Sequence, residues 1–268
     1  MIKRLSGLGT LAVLIGLTVL ITGCPLSSSG GNFTSTGQKL FNYYCADCHG
    51  VSGQGNGYNA AYLDFEPRNL TDSDEVILGD LTNEQLFLAI SRDLKNPSED
   101  APSLVSFMPT FRDTLAEAER WAIISYIRTL HPNKAPEITL TKEMKKKRPR
   151  FPRIRTVDID PEFMSNAENI ANGKELFEDT YGCLACHSVG GEGGNIGPPL
   201  DRAGFMSNAD WLYRWVKNPQ GLAPHTKMPS LGLSDEDAMA VVAYLKTLQS
   251  PTTVAAIPKE QEAEGEGS

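Results

Sequence analysis

The chain is 268 residues long, which suggests one or two domains. Aromatic residues are sparse at 8%, so two small domains would have thin apolar cores unless a bound apolar group filled them out. A formal net charge of −8 excludes nucleic acid as a natural partner of most of the surface.

Residues 1–23 read as a signal peptide for export. Lys3 and Arg4 make a basic start, and an apolar run with glycines covers residues 8–21. The run is short for a spanning helix, which needs about 20 apolar residues. It ends in Leu20-Ile21-Thr22-Gly23-Cys24, which resembles the bacterial lipobox, where the cysteine is lipidated and becomes the first residue after cleavage. An uncleaved helical anchor is the alternative. Both readings place the rest of the chain outside the cytoplasm, tethered to a membrane and facing the periplasm or the cell exterior; an acylated Cys24 holds stably if it carries more than one lipid chain. Residues 24–36 are rich in Ser, Gly, Thr and Asn and read as a flexible spacer.

A first domain is expected over residues 37–131. A helix from Gly37-Gln38-Lys39-Leu40-Phe41 runs into Cys45-Ala46-Asp47-Cys48-His49. Cys-x-x-Cys-His is the c-type haem attachment pattern: two thiols three residues apart on a helical turn each bond one porphyrin vinyl group, and the adjacent histidine ligates the iron. Gly50, Gly53, Gly55 and Gly57 then break regular structure, so a loop follows. After Glu66-Pro67-Arg68-Asn69-Leu70, Thr82-Asn83-Glu84-Gln85 is a capping-box signature for a helix through Leu86, Ala89 and Ile90 that stops at Lys95-Asn96-Pro97. Phe107-Met108-Pro109 precedes a last helix, capped by Thr114-Leu115-Ala116-Glu117 and ending at His131-Pro132.

Residues 132–165 read as a basic, proline-rich linker. Between residues 134 and 155 nine Lys/Arg stand against Glu137 and Glu143. The run has no apolar period and is expected to be irregular; it is a spacer wrapping an acidic domain of the same chain, or a site for an acidic partner or lipid headgroups. The remainder is acidic and would steer towards a basic patch on a partner.

The second domain, residues 166–250, repeats the plan. Gly173-Lys174-Glu175-Leu176-Phe177 leads into Cys183-Leu184-Ala185-Cys186-His187. A loop with Gly190, Gly191, Gly193 and Gly194 follows, then Gly197-Pro198-Pro199-Leu200. Asn208-Ala209-Asp210-Trp211 starts a helix that ends at Lys217-Asn218-Pro219; Lys227-Met228-Pro229 repeats the earlier Met-Pro, and Ser234-Asp235-Glu236-Asp237 caps the last helix. This is an internal duplication. The tail, residues 251–268, is acidic, aperiodic and expected to be disordered. Zinc or short disulfides are the plainer readings of the two Cys-x-x-Cys pairs. Five cysteines close the count if four hold two haems and Cys24 holds lipid.

On these residues the chain resembles class I cytochromes c, twice over. The resemblance implies an all-α fold of two tandem helical domains, each around one covalent haem c, and haem attachment outside the cytoplasmic membrane. It gives Gly37 the job of letting the first helix cross the last one closely, with Phe41 and Tyr126 at the contact. It implies a proline carbonyl that receives a hydrogen bond from the proximal histidine: Pro67 for His49, Pro198 for His187. It implies axial pairs His49 with Met108 and His187 with Met228, 59 and 41 residues apart. Thioether sulfur favours ferrous iron and raises the potential. Arg68 is a candidate for a haem propionate or a plain surface arginine. Trp211 and Trp215 line the second haem or pack a helix face. His225 is a competitor of Met228 or an exposed loop residue, and His131 a helix-end residue.

Three functions compete. The first is a membrane-tethered dihaem electron carrier between a respiratory donor and acceptor, with no small-molecule substrate. The second is the haem subunit of a larger redox complex. The third is an oxidoreductase with one open, peroxidase-like haem, against which both domains offer a Met-Pro ligand.

Overall fold

In a computed structural model, residues 29–71, 81–96, 99, 108–130, 138, 141–144, 147, 148, 154 and 157–249 are described. The expected signal peptide, Cys24, His131 and the acidic tail lie outside the described residues. Among those residues no helix is long and apolar enough to cross a membrane.

The first half holds α1 (Ser29–Tyr44), α2 (Ala46–His49), α3 (Asn83–Ser91) and α4 (Glu117–Leu130). The helix α1 begins well before Gly37, which corrects the expectation of flexible spacer up to residue 36. Phe33 is buried in the first core, and the hydroxyls of Thr34 and Ser125 share a hydrogen bond of 2.7 Å, so the extra turns have packing to hold them. The helix α1 crosses α4 with Gly37 against the Ala122 carbonyl, where an added Cβ would lie 1.8 Å from the oxygen. One turn on, Phe41 and Tyr126 meet with ring centroids 5.2 Å apart. The expected capping box opens α3: Thr82 Oγ1 accepts from the Gln85 N–H, and the Gln85 side chain accepts from the Thr82 N–H. The helix stops at Ser91, short of the expected Lys95-Asn96-Pro97, because Arg92 already takes extended angles.

The second half holds α5 (Pro161–Ser165), α6 (Ala167–Glu175), β1 (Ser188–Val189), β2 (Glu192–Gly193), α7 (Ala203–Met206), α8 (Ala209–Lys217), α9 (Pro219–Leu222) and α10 (Asp235–Thr247). The crossing recurs between α6 and α10: an added Cβ on Gly173 would lie 1.9 Å from the Ala240 oxygen, and Phe177 meets Tyr244 at 5.4 Å. Asn208 and Ser234 cap α8 and α10 as expected. The loop after His187 tightens into a hairpin; Gly190 and Gly191 both take positive φ, which a two-residue turn of this hand requires.

Two cores result, one around Phe41, Leu115, Ile123 and Ile124 and one around Phe177, Ala238, Val241 and Val242. The linker, expected to be irregular and to wrap an acidic domain of the same chain, lies against both cores where it is described. Ile138 and Met144 pack on the first core, Arg148 pairs with Glu119 at 2.7 Å, and Ile154, Val157 and Ile159 pack on the second core before α5 begins.

The halves are docked. Thr114, expected to cap α4, instead accepts a 2.8 Å bond from the Ser230 N–H of the other half; Glu119 serves the helix start by accepting from the Ala116 N–H. Lys95 reaches Asp237 at 2.8 Å, Lys227 reaches Asp47 at 2.8 Å, and the Tyr43 hydroxyl donates to the His225 carbonyl.

Candidate functional site

Each Cys-x-x-Cys-His segment is a single turn wound on the carbonyl of its first cysteine. Cys48 and His49 donate their N–H groups to Cys45 O at 3.2 and 2.9 Å; Cys186 and His187 donate to Cys183 O at 3.2 and 3.0 Å. Such a turn brings thiols three residues apart onto one face. Burial pushes the Cys45, Cys183 and Cys186 thiols up to about 12 and raises Cys48 as well, so all four are neutral thiols when nothing is bound. Among the described residues no three His, Cys, Asp or Glu side chains converge as a metal cluster.

The histidines are oriented alike. His49 Nδ1 lies 2.9 Å from the Arg68 carbonyl, and His187 Nδ1 lies 2.8 Å from the Pro198 carbonyl. A carbonyl only accepts, so Nδ1 carries the proton and Nε2 keeps a free lone pair. Burial holds both rings below the usual imidazole range, only partly offset by those bonds, so both are neutral at pH 7. The partner of His49 is therefore Arg68 and not Pro67. Successive carbonyls of this irregular segment face different ways, and that of Pro67 is turned to Gly55, where an added Cβ would lie 2.2 Å from it. At His187, Gly197 makes room: a Cβ there would lie 2.3 Å from the imidazole ring.

In the first half, Cys45, His49, Arg68 and Met108 line one cleft, walled otherwise by apolar residues such as Phe41, Leu86 and Ile124. An apolar cleft lined by the Cys45 thiol, the His49 imidazole and the Met108 thioether, with Cys48 on the adjoining turn, fits a c-type haem.

The methionines are held by residues the sequence reading missed. The Arg92 guanidinium, just past α3, donates to the Met108 carbonyl, and Gln220 Nε2 of α9 donates to the Met228 carbonyl at 2.6 Å. Both donors flank the repeated Lys-Asn-Pro, a signal that could have exposed them. The Trp211 and Trp215 rings stack at 5.1 Å with 10° between planes, and the Trp215 indole N–H donates to Met228 Sδ at 3.0 Å. His225 is exposed, and what it contributes to the dock is its carbonyl.

The family model for cytochrome c matches residues 34–131 and 170–249. Among curated relatives, the chain is 37% identical over 92 residues to cytochrome c oxidase subunit 2 of Alkalihalophilus pseudofirmus, covering 31% of this chain and 27% of that protein. It is 32% identical over 85 residues to a nitric oxide reductase subunit of Stutzerimonas stutzeri, covering 30% and 58%. It is 33% identical over 106 residues to cytochrome c2 of Afifella marina, covering 30% and 83%. The chain thus spans about a quarter of the first of these relatives and somewhat over half of the second.

Proposed function

The chain belongs to the cytochrome c family, whose domains carry covalently bound haem c, and on that footing we propose that it is a dihaem electron-transfer protein with one haem in each half. Cys45 and Cys48, and Cys183 and Cys186, form the thioethers. His49 and His187 are the proximal ligands and Met108 and Met228 the distal ones. The observation that carries this reading is the repeated histidine geometry: in each half, immediately after a paired-cysteine turn, a neutral imidazole is fixed by a backbone carbonyl with Nε2 left free.

The bound haem supplies a one-electron couple. The chain supplies the rest. The carbonyls of Arg68 and Pro198 fix each ring and raise its basicity. Arg92 and Gln220 hold the methionine backbones, which would keep Met108 and Met228 in place as iron ligands. The apolar walls of the first cleft keep water from the iron site, so little reorganises when charge changes. Cys24 carries lipid and holds the protein at a bacterial membrane, outside the cytoplasm, where a redox protein donor and acceptor meet it.

A second reading is the haem subunit of a larger respiratory complex. The likeness to an oxidase subunit 2 and to a nitric oxide reductase subunit favours it. Copurification from detergent-solubilised membranes separates the two: a stable complex selects the second reading, an isolated chain the carrier.

The test of the main reading is haem quantitation with the near-infrared spectrum of the oxidised protein. Two haems per chain with the charge-transfer band of two methionine-ligated ferric haems are expected. One high-spin haem that readily binds cyanide would overturn the carrier reading in favour of a catalytic centre. Cys24→Ser is expected to move the protein from the membrane to the soluble fraction.

A further inference from the structure

Asn59 touches both attachment motifs. It lies in the 3-10 turn Tyr58–Tyr62, between two tyrosines, and is 0% exposed. Its amide makes three bonds. Oδ1 accepts from the Asn195 N–H at 2.7 Å, and Nδ2 donates to the Ala185 carbonyl at 2.8 Å and to Cys48 Sγ at 3.3 Å. The orientation is forced, since a backbone N–H can only donate and a carbonyl can only accept. The Ala185 carbonyl carbon is bonded to the nitrogen of Cys186. One amide nitrogen therefore spans from the second cysteine of the first motif to the peptide that carries the second cysteine of the other.

An apolar side chain would fill this site with less desolvation than a carboxamide. The carboxamide holds a fixed relation between two turns that an apolar residue cannot specify. Gly194 permits the approach: an added Cβ would lie 2.2 Å from the Ala185 oxygen and 3.0 Å from Asn59 Oδ1. Beside it, the Tyr58 hydroxyl donates to the Asn195 carbonyl at 2.5 Å.

We propose that Asn59 is a positioning residue that locks the two Cys-x-x-Cys-His turns into one electronically coupled pair, bridged by Cys48 Sγ, the Asn59 amide nitrogen and the Ala185–Cys186 peptide. The proposal rests on the two-haem reading above. Thioether formation removes the thiol proton and leaves a sulfur that still accepts, so the bridge persists in the mature protein. One electron moves from the reduced centre to the oxidised one; no bond is made or broken and no proton is transferred.

The test uses the full chain with both haems loaded. Two haems held in a fixed close relation split the Soret circular-dichroism band into a couplet, which the native protein is expected to show. Asn59→Leu, close in volume but without the three bonds, is expected to keep two haems and both methionine bands while losing the couplet. Tyr58→Phe, which leaves the Asn59 amide intact, is expected to retain it. A couplet that survives in Asn59→Leu, or its absence from the native protein, overturns the proposal. A native count of one haem overturns it together with the two-haem reading, and the count alone tells that case apart. If the leucine variant does not load both haems, Asn59→Ala, which removes the same three bonds without added bulk, decides. A couplet lost in Asn59→Ala supports the lock; one that survives overturns it.

Discussion

Gly37 lies so close to the Ala122 carbonyl that a single added methyl group would sit 1.8 Å from its oxygen, and Gly173 repeats the relation with Ala240 at 1.9 Å. Backbone atoms on both sides leave no flexible side chain to yield. Gly37→Ala and Gly173→Ala are each expected to cost roughly 3 kcal/mol or more, despite the better helix propensity of alanine. Thermal unfolding checks this: the melting temperature should fall by at least about 10 °C. An unchanged melt for either variant would show that the crossing is looser than described.

Trp215 bears on the second methionine alone. Its indole N–H donates to Met228 Sδ; on the proposed ligation this makes the sulfur a weaker donor, which would favour the ferrous state. Trp215→Phe keeps a ring to stack on Trp211 and removes that bond. A redox titration should show one midpoint lowered, by on the order of tens of millivolts on a scale where 59 mV is a tenfold change for one electron, with the other midpoint unmoved.

Arg92 and Gln220 anchor the methionine backbones, and on the proposed two-haem ligation their loss should loosen the methionine ligand without unfolding the domain. A hydrogen bond from a charged donor contributes about 1.5–3 kcal/mol, so Arg92→Met is expected to raise cyanide affinity at the first haem by roughly tenfold or more. Gln220→Met, losing a neutral bond, should do the same at the second haem to a lesser degree. Cyanide titration followed in the Soret band reads both.

Asp237 ties acid stability to the dock. Burial alone would raise its carboxyl, but bonds with Lys95, Tyr181 and Ser234 outweigh that and hold its pKa below the ordinary carboxylate value. The folded pKa is thus lower than the unfolded one. Its contribution is complete above the unfolded value of about 3.9 and is lost as pH falls through the folded value. Asp237→Asn should be less stable than the native protein at pH 7, by about 2 kcal/mol, and the gap should close on acidification below about pH 4. A gap that stays constant with pH would mean that the lost bonds, not the charge, account for it.

The parts legible in the sequence were those written in short-range chemistry. Cys-x-x-Cys-His carries its turn within five residues, the Thr82 and Gln85 capping box within four, and Gly37 with Phe41 and Tyr126 could be matched to Gly173 with Phe177 and Tyr244 because the duplication keeps them in register. What was not legible depends on contacts between distant segments. Thr114 has the sequence of a helix cap, yet Ser230, more than a hundred residues on, takes its hydroxyl. Arg68 displaces Pro67 as the partner of His49 because a one-residue difference in an irregular segment decides which carbonyl faces the ring. Asn59 looked like any polar loop residue, since neither Ala185 nor Asn195 is near it in sequence.

The connector, fastened by Ile138, Met144 and Arg148 at one end and by Ile154, Val157 and Ile159 at the other, changes what the dock must achieve. Two independent proteins would need a broad apolar interface to stay together in dilute solution. Here the surfaces meet at an effective concentration on the order of millimolar, set by a short path already pinned to both partners. Contacts such as those of Asn59, Lys95 and Lys227 then suffice, and their strength is independent of protein concentration.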